Sequence, residues 1–319
     1  MAKRALKMAF VMDPVESEDF RASTTIILMV EAQRRGHEVL YVNPADLEVV
    51  AGQVAARVTP ITALDRSEGK VTRGASRRVF FDEEVDIALQ RVDPPVDAAY
   101  VTATQILGIC RKTRVFNRPS SVLAYNEKLF ALHFAEFMPE TSVTREIAEL
   151  EKILDALGGE MIIKPLDGKG GEGIFHLSRG DRNLSSILEQ ATDFGQRPVM
   201  AQGYLPGVRD GDKRILLLDG EPIGAVLRVP SKGQVRANFH AGGRAQRAVL
   251  DERDHQIIER IAPSLKSEGL FFVGIDVIGG CLTEINVTSP MGLQEINELD
   301  GLCLQETVLD GLERQLNEV

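Results

Sequence analysis

Leu6 to Met12 is a short, unbroken apolar run and predicts a buried strand. Thr24 to Arg35 repeats its apolar positions at helical spacing and stops at Gly36, and His37 to Val42 is strand-like again. Strand, helix and strand at this spacing make a βαβ unit, which calls for a parallel sheet. Val85 to Gln90 and Arg114 to Phe116 supply further strands, while Asn43 to Arg78 is less regular and predicts loops with an edge hairpin. Ser120 or Ser121 caps a helix that carries Asn126-Glu127-Lys128 and runs to about Phe137.

The rhythm then changes. Glu149 to Leu157 is a helix stopped by Gly158-Gly159, Met161 to Pro165 a strand, Asp167 to Gly173 a glycine-rich loop, and Ile174 to Leu177 a strand. A helix over Leu184 to Phe194 and a strand over Val199 to Gln202 follow. Lys213–Leu218 and Pro222–Val229 form a hairpin around Asp219-Gly220; a second hairpin turns at Gly279-Gly280, and the last helix covers roughly Leu304 to Leu316. An α/β domain with a parallel sheet therefore comes first and an α+β region second, with the boundary near residue 122.

Bulk properties narrow the function. A chain of 319 residues has the length of two domains, or of three packed closely, and 44% hydrophobic with 26% charged residues is an ordinary globular profile. The 37 basic and 47 acidic residues leave a net charge of −10 with no basic stripe, so neither nucleic acid nor an anionic membrane is the expected partner. Cys110, Cys281 and Cys303 make no metal-spaced pair and no disulfide framework, and no signal-peptide or membrane-span pattern stands out. A reducing, cytoplasmic compartment is the expectation.

Three features carry chemistry. The first is Lys164-Pro165-Leu166-Asp167-Gly168-Lys169-Gly170-Gly171-Glu172-Gly173. A lysine at a strand end followed by glycines lets backbone N–H groups approach phosphate oxygens, although the loop alone would equally suit a β-hairpin. No Gly-Lys-Ser/Thr opens a helix here, and no glycine fingerprint follows the first strand, so neither a Walker A loop nor a dinucleotide turn is expected.

The second is Asp276, Glu284 and Asn286 around a glycine turn. Oxygen ligands without His or Cys suit Mg²⁺, and carboxylates flanked by Ile275, Val277, Ile285 and Val287 need a partner, since the alternative of a solvated hairpin fits poorly with buried strands. Side chains alternate faces, so a two-residue turn pairing 278 with 281 would send Asp276 and Glu284 to opposite faces. A three-residue loop over 279–281, or a bulge with the same effect, sets them opposite each other.

The third is the set Arg214, Arg228, Arg236 and Arg244, with Arg236 inside a polar, glycine-containing segment, Ser231 to Gly243, that reads as a lid. Guanidinium forks bind phosphate and carboxylate, and Arg214 and Arg228, which bracket apolar strands, are the stronger candidates. With no Gly-x-Ser-x-Gly elbow and no Cys near a His in sequence, the chemistry is one of positioning and charge neutralisation around phosphate.

Taken in order, Val11-Met12-Asp13-Pro14, Glu31-Ala32-Gln33-Arg34-Arg35-Gly36, Asp93-Pro94-Pro95, Asn126-Glu127-Lys128-Leu129-Phe130, Lys164-Pro165-Leu166-Asp167-Gly168, Asp210-Gly211-Asp212-Lys213-Arg214, Ala241-Gly242-Gly243-Arg244 and Thr283-Glu284-Ile285-Asn286-Val287-Thr288-Ser289-Pro290 resemble the bacterial glutathione synthetase family over nearly the whole chain. The resemblance implies an N-terminal substrate domain (1–122) of the pre-ATP-grasp kind, then a two-lobed ATP-grasp fold with a central lobe (123–203) and a catalytic lobe (204–319). It implies ATP-dependent joining of glycine to γ-glutamylcysteine through an acyl phosphate, two Mg²⁺ ions (Mn²⁺ as an alternative), and a homo-oligomer, often a tetramer. By matching motif, Lys128, Lys164, Gly168, Gly170 and Gly171 would hold ATP phosphates, Gln202, Tyr204 and Leu205 would frame the adenine, and Asp212 would lie near the nucleoside. Arg214, Arg228 and Arg236 would neutralise phosphate or meet the peptide. Thr24, Thr25, Arg91, Asn238 and Ser289 would meet substrate, and Asp276, Glu284 and Asn286 would bind metal.

Three stretches depart from the family pattern: Ser23-Thr24-Thr25 in place of Asp-Ser-Ser, Met291 in place of a common Thr, and Arg236-Ala237-Asn238-Phe239-His240 in the lid. All fall where peptide or amine should bind, and none at an ATP or metal position. An ATP-grasp ligase with another acceptor, and a non-catalytic ATP-binding protein on the same fold, are the alternatives this leaves.

Overall fold

The computed structural model describes residues 4–168, 170–231 and 242–317. The first sheet has seven strands: β1 (Lys7–Val11), β2 (Glu38–Val50), β3 (Gln53–Asp65), β4 (Lys70–Arg73), β5 (Arg77–Phe80), β6 (Ile87–Gln90) and β7 (Arg114–Phe116). Its order is β4-β3-β2-β1-β6-β7, with β5 also on β3, and β2, β1, β6 and β7 run parallel. Met8 to Val11 are wholly buried, as the apolar run requires of a central parallel strand. Helix α1 (Thr24–Arg34) begins where the Ser23 hydroxyl accepts the Ile26 amide hydrogen. Helices α2 (Phe81–Glu84) and α3 (Ala98–Leu107) complete the unit.

The stretch Asn43 to Arg78 is not loop. β2 and β3 form a long antiparallel ribbon that turns at Ala51-Gly52, both at positive φ (49° and 79°). A register shift between Val42 and Leu47, next to Pro44, breaks the alternation by which a strand is recognised. The expected single helix from Ser120 or Ser121 to Phe137 is also divided, into α4 (Pro119–Ala124), α5 (Glu127–Ala131) and a 3₁₀ segment, Leu132–Phe137. Asn126 causes the break: its side-chain oxygen Oδ1 accepts from the Lys128 and Leu129 amides at 3.0 and 3.1 Å, capping a new helix instead of continuing the old one.

The second sheet is antiparallel, in the order β10-β9-β11-β8: β8 (Thr141–Thr144), β9 (Glu160–Pro165), β10 (Phe175–Ser178) and β11 (Val199–Gly203). Helices α6 (Ile147–Ala156) and α7 (Leu184–Ala191) cover it, and Leu150, Leu154, Met161, Ile163, Leu177, Leu188, Val199 and Ala201 form its own core. The third sheet, in the order β14-β13-β12-β15-β16, contains β12 (Asp212–Leu218), β13 (Glu221–Val229), β14 (Arg244–Arg247), β15 (Phe272–Ile278) and β16 (Cys281–Asn286). Around it lie α8 (Glu252–Ser267), α9 (Leu293–Asp300) and α10 (Leu304–Asn317). Among the described residues no helix is long and apolar enough to cross a membrane.

The first and third sheets share their cores. Val11, Leu40 and Ala88 belong to the same buried cluster as Ile215, Ile275 and Ile285, and α5 joins that cluster through Phe130 and Ala131. A polar stitch adds to it. The buried Asn117 side chain, just after β7, donates to the Phe272 and Val287 carbonyls at 2.9 and 2.7 Å and accepts from the Phe272 amide at 2.8 Å. Replacing Asn117 with Ala strands these backbone groups in a buried site. Each unmade bond costs about 1–3 kcal/mol, so a loss of about 3 kcal/mol or more in urea unfolding is expected. A loss below about 1 kcal/mol would show that the stitch carries no weight.

Candidate active site

The catalytic face of the third sheet follows from strand register. Gly279-Gly280 is a two-residue turn, both residues at positive φ (56° and 75°), and Ile278 pairs with Cys281. That turn alone would separate the two carboxylates. A bulge corrects it: Val277 pairs with Leu282 while Asp276 pairs with Glu284, leaving Thr283 extra, its hydroxyl donating to the Asp276 carbonyl at 3.2 Å. Of the two arrangements that would align the carboxylates, the protein uses the bulge and not the three-residue loop.

The same parity builds the rest of the face. Arg214 on β12 lies opposite Asp276, and Asp212, two residues earlier, lies opposite Arg228 on β13. Arg214 grips Asp276 with both fork nitrogens, Nε–Oδ1 at 2.5 Å and Nη2–Oδ2 at 2.9 Å. Arg228 Nη2 bridges Asp212 at 2.6 Å and Asp276 at 3.0 Å. Burial alone would raise the Asp276 pKa, but the two guanidiniums more than reverse it and hold the carboxyl well below the usual range. Asp212 goes the other way: burial, with Asp276 nearby, outweighs Arg228 and pushes it up to about 6. Asp212 Oδ1 and Arg228 Nε are buried with no hydrogen-bond partner among the described residues.

The opposite wall comes from α5 and the second sheet. Lys128 Nζ reaches Glu284 Oε1 at 3.0 Å and the Gly168 carbonyl at 2.9 Å. Burial opposes its charge, yet Glu284 prevails and the pKa rises. Lys164 Nζ donates to Gln202 at 2.8 Å, and burial lowers its pKa. Gln202 in turn donates to the Thr141 hydroxyl at 2.9 Å. Gly168 is required where it stands, because a Cβ there would meet the Pro165 ring at 2.7 Å. Gly170, Gly171, Tyr204 and Leu205 line the cleft with an apolar set, Ile162, Ile174, Val208 and Ile278. The Tyr204 ring stacks on His176 with centroids 4.1 Å apart.

Sequence reasoning missed that apolar set and also missed Glu127. The Glu127 Oε1 accepts from the Val287 amide, the Thr288 amide and the Thr288 hydroxyl at 2.8, 3.0 and 2.9 Å, and burial together with nearby Glu284 raises its pKa. The one available signal was its place between the cap Asn126 and Lys128, which an acidic residue in any first helical turn would share.

The expected substrate residues divide. Ser289 lines the cleft, next to Met291. Thr24, Thr25 and Arg91 do not line it: they are buried behind, where Arg91 donates to the Thr25 hydroxyl at 3.1 Å and the Pro290 carbonyl at 2.9 Å. Burial pushes the Arg91 pKa down to about 10. Through these bonds Arg91 ties the Thr25 end of α1 to the 287–291 side of the cleft wall. Arg244 is exposed on β14, outside the cleft, and Arg236 and Asn238 lie outside the described residues.

Among the described residues the cleft is lined by four basic side chains (Lys128, Lys164, Arg214, Arg228) and six acidic ones (Asp93, Glu127, Glu172, Asp212, Asp276, Glu284), a formal balance of −2. A polyanion entering it needs accompanying cations. No group of three His, Cys, Asp or Glu among the described residues forms a complete metal cage. Two carboxylates and an amide on one face, Asp276, Glu284 and Asn286, instead fit a hard cation that takes its remaining oxygens from a bound phosphate.

Comparison with known proteins identifies the family. The profile described as "Prokaryotic glutathione synthetase, N-terminal domain" matches residues 6–122, and "Prokaryotic glutathione synthetase, ATP-grasp domain" matches residues 127–301. A glutathione synthetase of Gloeobacter violaceus is 46% identical over 316 residues, 96% of each chain. One of Brucella melitensis is 44% identical over 310 residues, 97% of this chain and 99% of the relative. In structure the chain is similar to the D-cycloserine synthetase DcsG, with a TM-score of 0.67 at 15% identity, covering 97% of this chain and 99% of the other, which shows a shared fold. With two family profiles covering its length in order and relatives this similar from end to end, the chain belongs to the prokaryotic glutathione synthetase family.

Proposed function

We propose that the protein uses ATP to join glycine to γ-glutamylcysteine, giving glutathione, ADP and phosphate. The observation that carries the reading is the facing of Lys128 and Lys164, across one cleft, by the Arg214–Asp276–Glu284 row. ATP would lie with its adenine against Ile162, Gln202, Tyr204 and Leu205, its nucleoside near Asp212, and its phosphates between the lysines, Gly168, Gly170 and Gly171. The dipeptide carboxylate attacks the terminal phosphorus, releasing ADP. The glycine amine then attacks the acyl carbon and phosphate leaves. Arg214 and Arg228 are placed to neutralise charge on the phosphoryl group, a contribution that is largest in a water-poor site. Asp276, Glu284 and Asn286 would hold two Mg²⁺ ions, or Mn²⁺, which would supply charge neutralisation for the phosphates. Ser289 would meet substrate at the far end of the wall, and Arg236 and Asn238 from the lid segment.

Met291 favours keeping a second reading, because it lines the cleft where the resemblance places a threonine. In that reading the ligase chemistry is the same and the acceptor amine differs.

Purified protein is expected to release ADP when both γ-glutamylcysteine and glycine are present, and not with either alone. Release with the dipeptide and another amine, but not glycine, selects the second reading. Chelation by EDTA should stop turnover, and Mg²⁺ should restore it; turnover that persists in EDTA would remove the metal from the scheme. Glu284→Ala should lower kcat by about 10³-fold or more, several kcal/mol of lost transition-state stabilisation, with an unchanged circular dichroism spectrum. Activity within tenfold of wild type would refute its metal role.

A further inference from the structure

One segment of the cleft wall, residues 287–291, follows the metal-facing end of β16 and carries Ser289 and Met291 into the cleft. It has no regular structure of its own, and charged side chains from three separate parts of the chain hold its backbone. Arg91 donates to the Pro290 carbonyl, Arg214 donates to the Met291 carbonyl at 3.2 Å, and Glu127 takes the amides of both Val287 and Thr288. Glu127 differs from the other two. It sits at the start of α5, directly before Lys128, whose ammonium reaches both Glu284 and the glycine loop. All three bonds to Glu127 end on one oxygen, Oε1. The reach of the side chain, and the acceptor at its tip, thus set the separation between a phosphate-facing lysine and a substrate-facing segment.

We propose that Glu127 is a positioning residue that fixes the 287–291 segment in register with Lys128, so that the carboxyl donor bound against the segment meets the phosphoryl group held at the lysine. The inference rests on the ligase reading. Acyl-phosphate formation joins two reactants held on different walls, and such a step is sensitive to misplacement: about 1 Å costs on the order of 100-fold. A role of this kind depends on an acceptor at the right distance and not on charge. Glutamine keeps both reach and acceptor while removing the charge. Aspartate keeps the charge but is one carbon short.

The test is ADP release with γ-glutamylcysteine and glycine by wild type, E127Q, E127D and E127A, each normalised to folded protein by its melting curve. Wild type that releases no ADP with these substrates sinks the ligase reading, and the inference with it. With active wild type, E127Q is expected within about fivefold of wild-type kcat, and E127D and E127A about 100-fold lower. MgADP affinity, read by calorimetry, should change by about threefold or less, because contacts used equally in ground and transition states are untouched. E127D outperforming E127Q would assign the role to charge and overturn the inference. So would all three variants remaining near wild type, or MgADP affinity falling in parallel with kcat. If E127A does not fold, the order of E127Q and E127D decides.

Discussion

Asp276 is a carboxylate almost wholly withdrawn from water, and such a group is tolerable only if opposite charge is built beside it. Two arginines meet that requirement, and they can do so only because of where they lie in the strands. Arg214 is the cross-strand neighbour of Asp276, and Arg228 is the cross-strand neighbour of Asp212, two residues along β12. The carboxylate therefore fixes more than its own ion pair. It requires β12 to run between β13 and β15 in this register and places every charged side chain of the row on one face. The bulge at Thr283 then aligns Glu284 with the row. A one-residue slip in any of these pairings would turn the row over and leave a buried charge uncompensated.

Lys128 links this face to the opposite wall. Its ammonium is in contact with a carboxylate of the third sheet and with a carbonyl of the glycine loop that joins β9 to β10 in the second sheet. Because α5 packs in the core shared by the first and third sheets, the lysine reaches the loop from the rigid side of the cleft. The Asn126 side chain caps the helix that carries this lysine, accepting from its backbone amide, and Glu127 beside it holds the Val287 amide.

The sequence was informative where local rules suffice. The facing of Asp276 and Glu284 could be anticipated because side-chain alternation and turn length together constrain parity, which called for either a three-residue loop or a bulge and left the choice to the structure. The strand that carries Lys164 and the glycine loop after it were readable from the apolar run and its glycine stop, although the loop alone equally suited a β-hairpin. The division at Asn126 was less so, since the same residue can sit on a helix surface or end the helix, and packing decides. Nothing local distinguishes a buried threonine at a helix start from an exposed one, so the burial of Thr24, Thr25 and Arg91 could emerge only from tertiary structure. Helix α8 was missed altogether: its apolar stripe, Ile257, Ile258, Ile261 and Leu265, is preceded by six consecutive polar or charged residues, and the helix contains Pro263. The β2–β3 ribbon was hidden by its own register shift.

The distribution of cores has a mechanical consequence. The first and third sheets are welded by two shared apolar clusters and by the Asn117 stitch, whereas the second sheet owns a separate small cluster. The second sheet packs on its own core and meets the rest of the cleft through polar contacts, among them Lys128 to the Gly168 carbonyl and the Asn126 side chain to the Leu166 carbonyl. Two of the three sheets thus form one packed body that carries Asp276, Glu284 and the 287–291 segment, so the spacing of these groups is set within a single core, while Lys164 stands on the sheet that has the other.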